Sequence, residues 1–493
     1  MAQHTDTVDI SRHQDNLKKT ITTPQALGIS FHQIVGGGVV SLTGVAIAIT
    51  GGGVSWAFAL AAIAILIVSL PMASLGAAMP VVGGSYSYAT KLIHPLVGFG
   101  NMWLFVLGIC SLSLYGLSAG VYLHSLNSWF NPVAVAVTLI TIFAVANLMG
   151  SAFSARIGIL IAIVMLVAFG AFIVLGLANV DWANYPAAIP NGLPSLLQAA
   201  ALLTFATGGA TVVAELGSEM KTPGKTIPLA IVGGTIFAAI LYILIAIPAA
   251  GVLPIDQVAG QPLSVVAKSF MPSGLWYFFV LGGAVLAVVG TMNGMLLWGS
   301  KSILAAVDDG WLPRRLGSVN KRFGTPHYLL AVLYIVGIVP AVSGLDISVI
   351  ATAASVVGQI MFVVYLIAAL RLRTVRPDLH AASPFKLSLT VQWTLTILGI
   401  GVLGYQIYLL QQSLTVAVWI AMAVWVVAGI ILAAVRYPVV KRIAAARAES
   451  EAAPERLADS EPTVDEQLAA MDPFTVPKEA PGEVLGTHGV TGN

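Results

Sequence analysis

Apolar residues in this chain gather into runs of roughly 20 positions, the length a helix needs to cross the hydrocarbon core of a bilayer. Polar and charged residues fall mostly in the short stretches between them. The pattern predicts twelve spans, near residues 25–48, 54–79, 96–124, 132–149, 156–178, 195–217, 226–251, 275–306, 326–343, 347–370, 389–411 and 415–436. Two of these runs are interrupted. Gly36-Gly37-Gly38 stands in the middle of the first, and Thr207-Gly208-Gly209 stands inside the sixth. Each glycine gives up about 1 kcal/mol of helix propensity, so the triplet predicts a helix that stops and restarts. A break bares backbone amides and carbonyls, which hydrocarbon tolerates only where protein or a wet cavity covers them. Two glycine-broken spans at corresponding places in two halves point to a midplane binding site of the kind found in inverted-repeat transporters. Close packing of helices through small residues is the other reading of the same glycines.

Charge fixes the direction of threading. Between Ile21 and Arg436 there are 15 Lys or Arg and 8 Asp or Glu. With both termini placed in the cytoplasm, 22 of the basic residues fall inside and Lys268 alone falls outside. A miscounted span would invert every later loop and scramble that bias, so the positive-inside rule supports twelve spans. With 58% hydrophobic and 9% charged residues, an ordinary soluble protein is excluded, and the scattered basic residues form no face for nucleic acid. The lone cysteine, Cys110, excludes an intrachain disulfide and reads as a small buried thiol. Residues 1–24 are a polar cytoplasmic tail without the apolar core of a signal peptide. Residues 25–436 form the membrane domain. The loop 253–273, with Pro254, Pro262 and Pro272, predicts a short irregular external cap. Residues 437–493 carry 10 acids against 5 bases and six prolines, which predicts a disordered acidic cytoplasmic tail with a helical start near 440–447.

Four stretches then resemble a known family in order and spacing. They are Gly36-Gly37-Gly38-Val39-Val40 with Gly44; Pro80 to Tyr88 followed by Pro95-Leu96-Val97-Gly98-Phe99; Glu219-Met220-Lys221-Thr222-Pro223 with Ile227-Pro228; and Lys301 with Asp308-Asp309-Gly310-Trp311-Leu312-Pro313 and Gly324-Thr325-Pro326. Together they are similar to the amino acid, polyamine and organocation (APC) permeases across residues 26 to about 330. The resemblance implies an all-α integral membrane protein of twelve transmembrane helices. It also implies a LeuT-like 5+5 inverted repeat, about 25–178 and 195–370, with two extra helices at 389–436. The implied activity is transport of an amino acid by alternating access.

The resemblance also assigns candidate positions. Amides of Gly36, Gly37 and Gly38 would meet a substrate carboxylate, as a helix N-terminus meets an anion. Carbonyls near Ile34 and at the second break, Phe205, Thr207, Gly208 and Gly209, would hold the ammonium, with the Phe205 ring closing over it. Aligned side-chain pocket positions are Gly108, Ser113, Met295 and Ser355. His32, Val35 and Thr291 match the sodium site of sodium-coupled relatives, although His32 also reads as a helix-packing residue and a lone Thr usually bonds its own helix. The lysine that replaces sodium in some proton-coupled relatives is Met165 here. Sodium coupling, His32-linked proton coupling and uncoupled exchange therefore all stay open, and no other cofactor or metal is called for. Relatives that carry cationic substrates place an acid where this chain has Thr211, and Glu215 and Glu219 are expected in a gate with Lys221, Lys225 or Lys91. A neutral amino acid is thus expected to be carried across the cytoplasmic membrane. A polyamine or cationic amino acid transporter is the nearest alternative, and a membrane nutrient sensor is the alternative of another class. Lipid is the expected surrounding partner. No metalloprotease motif or intramembrane catalytic set is present, so an enzyme is not expected.

Overall fold

The computed structural model describes residues 19–149, 154–184, 189–320, 323 and 325–458, with side chains described except at 154–160, 184 and 450–458. All regular structure among these residues is helical, with two isolated bridges, Ile21 with Met220 and Val82 with Leu216. The chain divides into two compact units, Ser11–Lys441 and the paired ends Met1–Ile10 with Arg442–Asn493. Of the second unit the structure describes 442–458, the end of one long helix, and the 1–18 and 459–493 parts of the expected tails lie outside the described residues.

The first apolar run forms two helices, α1 (Thr23–Ile34) and α2 (Gly37–Thr50), separated at Val35-Gly36. Thr22 and Gln25 close a capping box at the start of α1, which satisfies two of the amides a helix start leaves bare. Most of α2 is buried, as its largely apolar sequence requires. Next come α3 (Val54–Ala78), α4 (Gly84–Leu92), α5 (Pro95–Gly108), α6 (Ser111–Leu126), α7 (Pro132–Leu148) and α8 (Ser154–Ala178). The sixth run begins as α9 (Gly192–Thr207) and then tightens into a 3₁₀ segment over Gly208–Glu215. Beyond it lie α10 (Pro223–Pro228) and α11 (Gly234–Gly251), joined through a π turn at Leu229–Gly233.

The expected irregular cap is instead helical. Pro254, Pro262 and Pro272 each stand at the N-cap of a short helix, α12 (Ile255–Val258), α13 (Leu263–Phe270) and α14 (Ser273–Phe278). Proline punctuates this segment without dissolving it, because a position just outside a helix needs no amide for the ladder. The cap is pinned to α2: the Gly260 amide donates to the Gly44 carbonyl at 2.8 Å. Tyr122 adds a second tie, accepting from the Leu263 amide and donating to the Val40 carbonyl, both at 3.0 Å.

The remaining helices are α15 (Leu286–Asp308), α16 (His327–Val342), α17 (Ile347–Val375), α18 (Pro377–Ala382), α19 (Leu389–Gln411) and α20 (Val416–Ala458). Helix α20 runs past the expected boundary at 436, where Ala, Glu and Arg, all strong helix formers, continue the sequence. Within the first unit it docks on α5 through a reciprocal pair. Trp103 and Trp425 stack with centroids 4.6 Å apart, and each indole N–H donates to the other's carbonyl, at 2.8 and 2.9 Å.

Nine stretches among the described residues are long and apolar enough to cross a membrane, and Pro132–Leu148 and His327–Val342 are shorter apolar helices. The outward faces of α19 and α20 are apolar, with Ile397 65% and Val424 63% exposed, a surface suited to lipid and costly in water. This is a multi-pass membrane fold.

Glycine content separates close approach from mere composition. A Cβ on Gly38 would lie 2.7 Å from the Ala206 Cα, whereas one on Gly28 meets nothing within 4 Å. Gly38→Ala should therefore destabilise the protein by about 1–3 kcal/mol through overpacking. Gly28→Ala, in the interior of α1, should gain up to about 1 kcal/mol of helix propensity. Thermal unfolding of both variants in detergent checks the contrast, and equal midpoints would contradict it.

Candidate functional site

The two interrupted runs face each other across a gap that only glycine allows. Besides Gly38 against Ala206, Gly209 lies so close to the first run that a Cβ there would sit 2.1 Å from the Gln33 carbonyl oxygen. A Cβ on Gly36 would meet the Thr291 hydroxyl at 1.8 Å, and one on Gly37 the Tyr115 ring at 2.2 Å. Backbone groups freed at the first break find partners inside the protein. The Gly37 amide donates to Thr291 Oγ1 at 2.8 Å, and that hydroxyl donates to the His32 carbonyl at 3.0 Å or to its own helix at Ala287, 3.1 Å. Tyr242 donates its hydroxyl to the Ile34 carbonyl. Thr291 thus bonds its own helix, as a lone Thr often does, and also ties α15 to both sides of the break.

Beside the meeting point lies a cavity of about 150 Å³. The first run contributes Gln33 to its wall, and the second contributes Phe205, Gly208, Gly209, Thr211 and Glu215. Gly108, Ser111 and Tyr115 close one side, Met295 and Trp298 of α15 another, and Ser355, Gln359 and Tyr365 of α17 a third. No Lys, Arg or His lines it, and Glu215 is the one carboxylate on its wall among the described residues.

Of the positions expected from sequence, Phe205, Gly208, Gly209 and Met295 stand on the wall, with Gly108 and Ser355. Ile34, Gly36, Gly37, Gly38 and Thr207 are buried or packed behind it. Ser113 is elsewhere: its hydroxyl donates to the Gly337 carbonyl at 2.5 Å and accepts from the Ala341 amide at 2.9 Å, bracing α6 against α16. His32, Val35 and Thr291 are off the wall too. His32 packs at Gly290, where a Cβ would stand 3.2 Å from its Nδ1. The Thr291 hydroxyl reaches the His32 carbonyl at 3.0 Å, which brings these two oxygens together.

Sequence reasoning misplaced both acids. Glu219 pairs with Lys301 at 2.7 Å, not with Lys221, Lys225 or Lys91. Among the described residues Glu215 pairs with no lysine. Its carboxylate accepts from the Ser85 amide at 2.8 Å and from the Ser302 hydroxyl at 2.7 Å. Ser85 lies in the first turn of α4, whose Gly83 N-cap has φ +59, so the carboxylate caps a helix N-terminus, where a negative charge is favoured. Gln359 was missed as well. It is a single amide in an apolar run, 1% exposed, and its side-chain N–H₂ donates to the Ala201 carbonyl at 3.1 Å. A lone amide at such depth was a readable signal, since polar groups inside a membrane are costly and seldom idle.

Sequence comparison names the family. The amino acid permease family matches residues 21–435, and the chain belongs to it. It is 25% identical over 403 residues to the branched-chain amino acid permease BcaP of Bacillus subtilis (strain 168), covering 76% of this chain and 86% of that one. It is 24% identical over 451 residues to the methylthioribose transporter of the same organism, covering 86% and 94% of the two chains. It is also 27% identical over 326 residues to the serine/threonine exchanger SteT of Bacillus subtilis, covering 64% and 74%.

Thr291 is the test of how the first break is held. Thr291→Val removes the acceptor of the Gly37 amide and leaves that amide buried, so it should cost about 1–3 kcal/mol. Thr291→Ser keeps the hydroxyl and should recover most of that loss. Thermal midpoints of the two purified variants decide it; indistinguishable values would show that the hydroxyl does not hold the break.

Proposed function

We propose that this permease is a secondary active transporter that moves a neutral amino acid across the cytoplasmic membrane by alternating access, as ion-coupled uptake or exchange. The observation that carries the reading is the cavity beside the two facing helix breaks, walled by apolar side chains and a few polar groups with no cationic side chain among them. Twelve crossings in a LeuT-like arrangement, with both termini cytoplasmic, are part of the proposal. They are supported by the 56-residue stretch Thr23–Ala78, long enough for two crossings, and by the two shorter apolar helices that complete the set. Corresponding breaks in the first and sixth runs support the inverted repeat.

The wall and the relatives support an uncharged substrate. The substrates named for the three relatives, branched-chain amino acids, serine or threonine, and methylthioribose, carry no net charge. Phe205, Met295 and Trp298 offer apolar surface to a side chain, and Thr211 and Ser355 offer hydroxyls. Glu215 is the observation that favours a second reading, a cationic amino acid or polyamine. Both its oxygens are already held by Ser85 and Ser302, and its single charge is one too few for a dication in a low-dielectric site.

Uptake of radiolabelled leucine, valine, serine and threonine into proteoliposomes, beside arginine and putrescine, tests this. Competition among the neutral substrates and indifference to the cations are expected; uptake of arginine or putrescine alone would overturn the neutral reading. Gly36→Leu should abolish uptake while the protein still inserts, because the side chain would occupy the place of the Thr291 hydroxyl. Wild-type rates in that variant would remove the first break from the mechanism.

A further inference from the structure

We propose that Glu215 carries the coupling proton of this permease, and that its charge state controls a closure between the cavity and the Lys/Arg-rich end of the membrane domain. The inference rests on the transport reading above and adds the coupling ion and the residue that binds it. Glu215 ends the 3₁₀ segment, stands on the cavity wall and is 3% exposed. Its side chain clamps α4 through the Ser85 amide and α15 through the Ser302 hydroxyl. Its own carbonyl accepts from the Gly83 amide at 3.0 Å, and Ser218 donates to the Val81 carbonyl at 3.3 Å. Farther along, Ile21 donates to the Glu219 carbonyl and accepts from the Lys221 amide, both at 2.9 Å. Three pieces of main chain that are distant in sequence are therefore strapped together at this end, with one carboxylate on the cavity side of the strap.

Two opposing forces act on that carboxylate. The α4 N-terminus and two donors favour the charged form, and burial without a cationic partner favours the neutral one. Among the described residues no Lys, Arg or His pairs with Glu215, and the Lys301 of α15 is engaged by Glu219. The other titratable groups on elements packed against this segment are Tyr86, Tyr88 and Lys91 of α4, Asp308 of α15, Tyr242 of α11 and His32 of α1, and Tyr365 of α17 faces Glu215 as well; Tyr86, Lys91 and Asp308 are off the cavity wall. Phenols keep their protons at physiological pH, and the His32 ring is directed to Gly290. Glu215 is left as the group on the wall with two usable charge states.

The step needs no other reactant. A hydronium ion reaching the cavity from the external side loses one O–H bond and is left as water, and one O–H bond forms at a Glu215 oxygen. The neutral acid no longer offers a full charge to the α4 N-terminus, so the clamp on Ser85 and Ser302 weakens and the strap can part. The proton then leaves to water at the Lys/Arg-rich end and the carboxylate closes the clamp again. One proton crosses with each substrate.

Reconstituted protein loaded with unlabelled amino acid, and separately with buffer, tests this by exchange and by net uptake with and without an inside-alkaline pH gradient. Wild type should exchange, and its net uptake should rise severalfold with the gradient. Glu215→Gln should take up equal amounts with and without it, while His32→Ala keeps the stimulation. Ser302→Ala removes a donor to the charged form and should move the midpoint of the uptake pH profile upward by about one unit; this variant decides the matter if Glu215→Gln is not monodisperse. Gradient stimulation retained in Glu215→Gln, loss of stimulation in His32→Ala alone, or an unmoved midpoint in Ser302→Ala would each overturn the proposal. Exchange by wild type with no response to the gradient would sink the proton inference and leave the transport reading standing. Absence of any exchange would remove both.

Discussion

A backbone group without a partner is the costliest thing a membrane protein can expose, at several kcal/mol each in hydrocarbon. The organisation of this permease follows from meeting that demand at two places where a helix stops. At the first, Thr291 takes the Gly37 amide and Tyr242 takes the Ile34 carbonyl. Both partners come from other helices, α15 and α11, so the break is only as stable as the packing that brings those helices to it. At the second, the chain keeps its own hydrogen bonds by tightening into a 3₁₀ segment, and Thr211 returns its hydroxyl to the Gly208 carbonyl at 2.8 Å. One break is satisfied from outside and the other from within.

That difference explains why glycine is needed where it is. A break satisfied by neighbours needs those neighbours close, and Gly36, Gly37 and Gly38 give the space for Thr291, Tyr115 and Ala206. Gly209 answers from the other side by clearing the Gln33 carbonyl. The glycines serve close packing and the helix break together, so the two readings of the sequence were never true alternatives. Because the packing is so tight, the cavity is displaced to the side, where α5, α6, α15 and α17 supply larger side chains. The wall is therefore built more from side chains than from the glycine backbone itself.

Much of this was legible in the sequence because a bilayer imposes one-dimensional rules. Run length and basic loops place most helices to within a few residues, and the glycine triplet marks the first break. The side-chain partners were harder to read, since they depend on which helix lies opposite. Ser113 occupies a plausible pocket position in one dimension, yet its helix turns that hydroxyl toward α16. Glu215 looked like a gate acid because lysines are near it in sequence, whereas its partners, Ser85 and Ser302, lie 130 and 87 positions away on two other helices. The prolines of 253–273 misled for a related reason. Proline disfavours a helix interior but suits its start, and spacing alone did not show that each one stood at a start.

The two acids following the second break divide the work at the Lys/Arg-rich end by depth. Glu219 meets Lys301 at a partly exposed site, where an ion pair contributes little to stability but sets which surfaces meet. Glu215 is one turn or so nearer the cavity, buried, and bound by uncharged donors from α4 and α15. Lys301 and Ser302 are consecutive, so α15 grips both acids with adjacent residues. Movement of α15 relative to the 3₁₀ segment must then disturb both contacts together. An outer pair that water can solvate separates at little cost, whereas parting the inner contacts leaves a buried carboxylate without its donors. The same eight-residue segment, Gly208–Glu215, contributes to the cavity wall and at its end makes the contacts to α4 and α15, so the two places share one piece of backbone.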